Sequence, residues 1–453
     1  MTVRSGASWS WAAGAAALGL VGCEAVLGLG GDTGGLENVG SSSTSASSTG
    51  SASPSVSSAS TSSTGESSTS GIPSSSTSSA TSTNASTSES TMTSTASTAG
   101  STPSSSGGYS VSGATILDAS GKPHTFRGAG REGLEFDSAG TGFSEEDYIV
   151  MAQWGANVVR IPLCQDYWLN DPSNANYDST YAATVDQQVQ WAEGQGLDVI
   201  LDLHTSDRGD FTVAPGAQQM PDGHSITFWQ EVAAKYMNDP HVLFELYNEP
   251  ILYGGSVGSG QTSGSSFDPW EVWLEGGDSS SATSGPTGFA NTVGMQTLYN
   301  TVRATGAQNL VIIGGIHDAY DLSGVPTHPV IGTNVIYNTH PYNQGDKQPS
   351  TWYESFGSLS ATYPIIATEF GDQQMNVTNG QCNTNYLSEF IQYANKVAVS
   401  GTTAPANILS WTAWAFYVTR TADECDYPTI LEDYYDLNVN GVVVVAALDA
   451  GIR

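Results

Sequence analysis

The sequence predicts an α/β protein whose folded part, residues 109–453, is a closed (β/α)8 TIM barrel. Three observations predict it. Eight short apolar or β-branched runs recur through that region, helix-patterned stretches separate them, and most of those stretches stop at Gly or Asn. Strands alternating with helices imply a parallel sheet. Eight such units in roughly 300 residues fit a closed barrel better than an open sheet. No Gly-rich phosphate-binding turn follows the first run, which speaks against an open doubly wound fold.

The strand candidates in order are HTFRGAG (124–130), NVVRIPL (157–163), DVILDLH (198–204) and VLFELYNEP (242–250). They continue with LVIIGG (310–315), NVIYNTHPY (334–342), PIIATEFG (364–371) and SWTAWAFY (410–417). Between them SEEDYIVMAQWG, ATVDQQVQWAEGQG, SITFWQEVAAKYMND, GMQTLYNTVRATG and NYLSEFIQYANKVAVSG carry helical spacing. The leading segment VSGATILDASGKPHTF has the pattern of a hairpin turned at Ala119–Gly121, placed to plug the barrel floor.

Residues 24–108 read differently. From Ser41 to Ser106, 46 of 66 residues are Ser or Thr, so the segment has too little apolar surface to offset its ordering entropy. A disordered linker is expected there. Before it, Arg4 and the apolar run WAAGAAALGLVG have the layout of an export signal, too short to span a bilayer. The run closes on LVGC, which resembles the lipobox of bacterial lipoproteins. That resemblance implies a signal peptide over 1–23 and a lipid anchor on Cys23. The protein would then be exported and held to the cell envelope, or else secreted.

Of the other cysteines, Cys382 and Cys425 fall in late loops and are expected to pair, whereas Cys164 follows VVRIPL and reads as a small buried hydrophobe. No Cys/His spacing suggests a metal. Net charge is −32, with 39 acids against 11 Lys or Arg in residues 108–453. Nucleic acid is disfavoured as a partner because no basic stripe exists to displace counterions. A neutral substrate and a monomer are expected, with contact to a membrane only through the anchor and no cofactor.

Barrels of this kind carry their chemistry at the C-terminal ends of the strands. Arg160, His204, Asn248, Glu249, His340, Tyr342, Glu369 and Trp414 stand at the ends of otherwise apolar runs. Glu249 ends the fourth strand and Glu369 the seventh, so the two face each other across the mouth. Opposed carboxylates about 5–5.5 Å apart suit retaining glycoside hydrolysis, and a gap of about 6.5–9.5 Å suits inversion. One must hold a proton for the leaving oxygen while the other stays ionised to attack. Arg160 is the natural partner of the ionised one. Glu245, earlier on the fourth strand, reads as an interior acid paired within the barrel. Arg127 and Asp202 read as structural, and His317 and Asp318 carry no assigned role.

The motifs NVVRIPL, VILDLHTSD, LFELYNEP, NTHPYN, IATEFGD and SWTAWAF come in the order and spacing of glycoside hydrolase family 5, in clan A, over nearly all of 109–440. The resemblance implies Glu249 as acid/base and Glu369 as nucleophile. It implies Asn248 on the sugar 2-hydroxyl, Tyr342 and Arg160 holding the nucleophile, His204 and His340 lining the subsite, and Trp414 offering its face to the sugar. Its cellulase-like members imply an endo-acting β-1,4-glucanase on a β-linked polysaccharide or oligosaccharide. β-Mannan is the alternative substrate, a non-catalytic carbohydrate-binding barrel the alternative of another class, and transglycosylation the third. Departures are Thr205 where members often carry Trp, Arg131 near a position often held by Asn, and an insertion at about 253–287 containing Trp270 and Trp273.

Overall fold

A computed structural model describes residues 108–205, 220–252, 268–277, 292–372, 384–418 and 427–451. Cys23, Cys382, Cys425 and the expected linker lie outside these residues. Eight parallel strands close into a barrel: β4 (Arg127–Gly130), β5 (Val158–Cys164), β6 (Asp198–Thr205), β7 (Val242–Glu245), β8 (Val311–Gly314), β9 (Val335–Asn338), β10 (Ile365–Ala367) and β11 (Ser410–Ala413). Each pairs with its sequence neighbours, and β11 returns to β4 with Ala413 opposite Ala129. Every residue of the long strand β5 is buried, as expected of a parallel strand covered on both faces.

The five predicted helices are present as α1 (Glu145–Gln153), α3 (Tyr181–Gly194), α4 (Gly223–Tyr236), α6 (Met295–Ala304) and α8 (Asn385–Ala394). Local chemistry sets their limits. Asp222 caps α4 by accepting from the amides of His224 and Ser225. The turn after α3 passes through Gly196 at φ 77°, a conformation open to glycine at no steric cost. The sequence reading missed four helices: α2 (Gln165–Trp168), α5 (Pro269–Glu275), α7 (Trp352–Ser355) and α9 (Val439–Gly451). Among the described residues no helix is long and apolar enough to cross a membrane.

The predicted floor hairpin is a three-stranded antiparallel sheet, β1 (Ser110–Ser112), β2 (Thr115–Leu117) and β3 (Pro123–His124). The Asp118 carboxylate holds the second turn by accepting from the amides of Ser120 and Lys122. Ile116 and Phe126 pack beneath the ring against Val158, Ile200, Leu243, Ile312, Ile336 and Ile366, and so seal its N-terminal end. Tyr109 adds a hydrogen bond to Asp198 at 2.7 Å.

Trp270 and Trp273, which the sequence places in the insertion, are both buried on α5. Trp273 donates its indole N–H to the carbonyl of Gly314 at the end of β8, 2.8 Å away. A Cβ on Gly324 would lie 2.2 Å from the Trp270 ring, so the chain there must be glycine. Replacing Trp273 with Ala is expected to lower stability by about 3–5 kcal/mol. A fall in the urea midpoint at unchanged m-value is the measurement that checks it.

Candidate active site

Arg160 is the centre of the polar cluster, and its position corrects the sequence reading. It is the third residue of the seven-residue β5 rather than the end of a strand, so its side chain points into the barrel. Its guanidinium is fully buried and meets three carboxylates: Asp202 at 2.9 Å, Glu245 at 2.7 Å and Glu369 at 2.5 Å. One Nη2 proton goes to the Asn248 carbonyl oxygen at 2.7 Å. A planar fork of five donors is the side chain able to hold these groups at once.

The ladder of β7 stops at Glu245, earlier than the sequence suggested, and Asn248 and Glu249 follow in irregular chain. Backbone bonds hold that stretch. Asn248 donates to Leu203, while His317 and Asp318 donate to the carbonyls of Leu252 and Pro250 at 2.7 and 3.2 Å. His317, Asp318 and Ala319 all have left-handed backbone, with φ of 60°, 55° and 57°, which brings those amides round.

The two proposed reactive carboxylates sit in unlike surroundings. Glu369 is buried and has both oxygens engaged, one by Arg160 and the other by the Tyr342 hydroxyl at 2.5 Å. Glu249 is more open, and its one hydrogen bond among the described residues joins Oε1 to Nδ1 of His340 at 2.9 Å. An oxygen of Glu249 and one of Glu369 lie within 4.8 Å of each other.

His340 is held from behind by Asn338 and Thr368, each 2.9 Å from Nε2. Burial alone would lower its pKa, but Glu369, Glu245 and Glu249 more than offset that and raise it to about 9. Glu245 is pushed up by burial, yet Arg160 and His340 outweigh that and hold its carboxyl at about 2. It accepts from Thr368 at 2.7 Å and Asn338 at 2.9 Å, which makes it the interior acid expected.

His204 donates or accepts at Nδ1 with Asp202, 2.8 Å away, and burial lowers its pKa to about 4. It is neutral at working pH, so Nδ1 carries the proton given to Asp202, and Nε2 faces the Asn248 amide at 3.4 Å. Its ring stacks on Trp414 at 5.6 Å and 10°. Every residue predicted for the site on the described strands thus converges at one end of the barrel.

Glu249, His340 and Glu369 also have the spacing of a metal triad. Their atoms are already committed, however: Glu369 is filled by Arg160 and Tyr342, and both ring nitrogens of His340 sit in hydrogen bonds. The set is built for hydrogen bonds. Outside it, Cys164 is buried without a disulfide and burial raises its thiol to about 12, consistent with an inert packing role. Arg131 turns outward to Asp147 at 2.8 Å and its guanidinium lies 3.9 Å over the Phe143 ring.

Asp202, read from the sequence as structural, supports Arg160 and His204, and two further supporting residues, Asn338 and Thr368, escaped the sequence reading. A signal existed for the roles of Asp202 and Asn338. Asp202 stands two residues before His204 and Asn338 two before His340, so strand periodicity places each pair on one face. Thr368 carries no such signal.

Comparison with known proteins agrees with this architecture. The family model described as Cellulase (glycosyl hydrolase family 5) matches residues 117–417. An endoglucanase of Clostridium saccharobutylicum is 23% identical over 312 residues, 68% of this chain and 57% of that protein. Endoglucanase C of Evansella cellulosilytica is 25% identical over 350 residues, 70% of this chain and 37% of that protein. The chain thus spans well under two thirds of these two relatives' own lengths. Among solved structures, a β-glucanase of Saccharophagus degradans aligns with a TM-score of 0.57 at 22% identity, covering 76% of this chain and 94% of that one. The catalytic domain of an endoglucanase of Thermobifida fusca aligns with a TM-score of 0.52 at 18% identity, covering 76% and 98%. With a match over most of the barrel and a polar cluster gathered at its C-terminal end, the chain belongs to glycosyl hydrolase family 5.

Proposed function

We propose that the chain is a retaining endo-β-1,4-glucanase, with Glu369 as nucleophile and Glu249 as acid/base. The observation that carries this is the asymmetry of two carboxylates whose oxygens approach within 4.8 Å. Carboxylates this close fit the narrow separation of a retaining pair rather than the about 6.5–9.5 Å that inversion needs. Arg160 and Tyr342 fix Glu369 with two charge-assisted or strong hydrogen bonds, as an ionised nucleophile requires. His340 occupies Oε1 of Glu249, which leaves Oε2 for the glycosidic oxygen.

In the first step Glu369 forms a bond to the anomeric carbon as the carbon–oxygen bond breaks, and the Glu249 proton goes to the departing oxygen. In the second, Glu249 takes a proton from water, the water oxygen bonds to the anomeric carbon, and the ester to Glu369 breaks. Asn248, its carbonyl held by Arg160, directs its amide to the 2-hydroxyl. Trp414 offers its ring to the sugar. The choice of glucan rests on the endoglucanase names of the relatives and on the S. degradans β-glucanase, which has been crystallised with cellotetraose.

Reducing-sugar release from carboxymethylcellulose, glucomannan, mannan, xylan and laminarin, measured side by side, tests the substrate. Greatest release from mannan would assign the mannanase activity instead, and binding without release would assign the non-catalytic one. Glu249→Gln is expected to lower kcat by about 10²–10⁴-fold with oligosaccharide binding kept. We also propose export with lipidation at Cys23. Mass spectrometry of the N-terminal peptide checks it, and an unmodified Cys23 in membrane-extracted protein counts against it.

A further inference from the structure

The loop after β4 carries two acids that the proposed reaction does not use. Glu132 and Glu135 are both buried, and one Glu132 oxygen has no hydrogen-bond partner. The strand end that leads into it lies directly against Trp414: a Cβ on Gly130, the last residue of β4, would meet that ring at 2.8 Å. The Trp414 indole N–H donates to the Tyr427 hydroxyl at 2.8 Å. With its oxygen so occupied, Tyr427 has its own proton to give, and the group it faces is Glu132.

We propose that Glu132 is a positioning residue for Trp414, acting through Tyr427, and that it keeps the wall of the cleft in place while it holds a proton. The proposal rests on the reading of Trp414 as the surface that receives the sugar. The physical ground is burial without compensation. An ionised carboxylate with an orphaned oxygen in a closed loop must find water or a new partner, and either one opens the wall.

The groups facing the pair come from several elements. Arg131 and Glu135 lie on the same loop, Glu369 follows β10, and Tyr427 precedes the short strand β12 (Leu431–Asp433). Arg160 of β5 and Tyr181 of α3 face Glu135. Arg131 is already paired with Asp147. Burial raises Glu132 to about 7, helped by the charge of Glu369, and burial with Glu132 raises Glu135 well above the ordinary carboxylate range. The sign follows from linkage. A folded-state pKa raised above the unfolded value gives stability that is complete below about 4.5 and is lost as pH rises through about 7.

The test measures kcat and KM from pH 4.5 to 9 on cellopentaose for wild type, Glu132→Gln, Tyr427→Phe and the double variant. In Glu132→Gln the alkaline limb of kcat/KM is expected to move to higher pH, raising the ratio of pH 8 to pH 5.5 values by up to about tenfold, the ionised-to-neutral ratio one unit above a midpoint. Tyr427→Phe cuts the same relay, so the double variant should match it rather than add to it. Simple loss of a negative charge beside the site would move the limb the other way, because the acid/base would give up its proton more easily. A limb that stays put, or moves to lower pH, overturns the proposal, as does additivity of the two substitutions. Melting temperature supplies a second readout that needs no turnover. The advantage of Glu132→Gln over wild type should grow between pH 5 and 8, and a constant difference overturns the pair's proton-holding role. If wild type cleaves no β-glycan at all, the assigned reaction fails while the melting series still decides the acid pair.

Discussion

Glu369→Ala is expected to lose hydrolysis of cellooligosaccharides by about 10⁴–10⁶-fold, the range seen when a nucleophile that works as one of a unit is removed. In azide it should regain turnover on an activated aryl glycoside. The small anion enters where the carboxylate was and yields a glycosyl azide of inverted configuration. Glu249→Ala under the same conditions should yield the azide of retained configuration, because Glu369 still forms the intermediate and azide then attacks the opposite face. Product configuration by NMR reads out which acid does which. Exchanged outcomes would reverse the two roles, and no azide product from either would remove the double displacement altogether.

Arg160→Met is expected to cost about 3–5 kcal/mol of folding stability, the scale for breaking a buried ion pair from one side. The substitution leaves Asp202, Glu245 and Glu369 facing one another without their common cation. Urea unfolding at several pH values checks it. Glu245, held at about 2 in the intact protein, gives stability present above about 4.5 and lost as pH falls towards about 2. The deficit of the variant should therefore shrink across that interval. A deficit below about 1 kcal/mol at neutral pH would mean that the cluster is solvated well enough to do without the arginine.

The barrel was legible because its strands are buried on both faces, so VVRIPL and DVILDL read as continuous apolar runs with abrupt polar ends. Helix α9 was not, since VNGVVVVAAL is rich in β-branched residues and owes its helical state to packing rather than propensity. Trp270 and Trp273 were ambiguous for a related reason: an aromatic pair in a Gly/Ser-rich stretch has the same composition whether it is buried or displayed. The groups proposed as reactive were legible by type and order. Their support was less so, because Asp202, Asn338 and Thr368 act by side-chain hydrogen bonds across strands, and that information lies in the closure of the ring.

The amides of His317 and Asp318 grip the chain just beyond Glu249 through main-chain atoms, and their left-handed backbone restricts which residues can present them. Their side chains are tied as well, since Asp318 pairs with the buried Lys347 at 3.3 Å and His317 lies 3.3 Å from Asp346. A change at either position would therefore reach Glu249 by two routes, through the turn of the backbone and through an unseated ion pair.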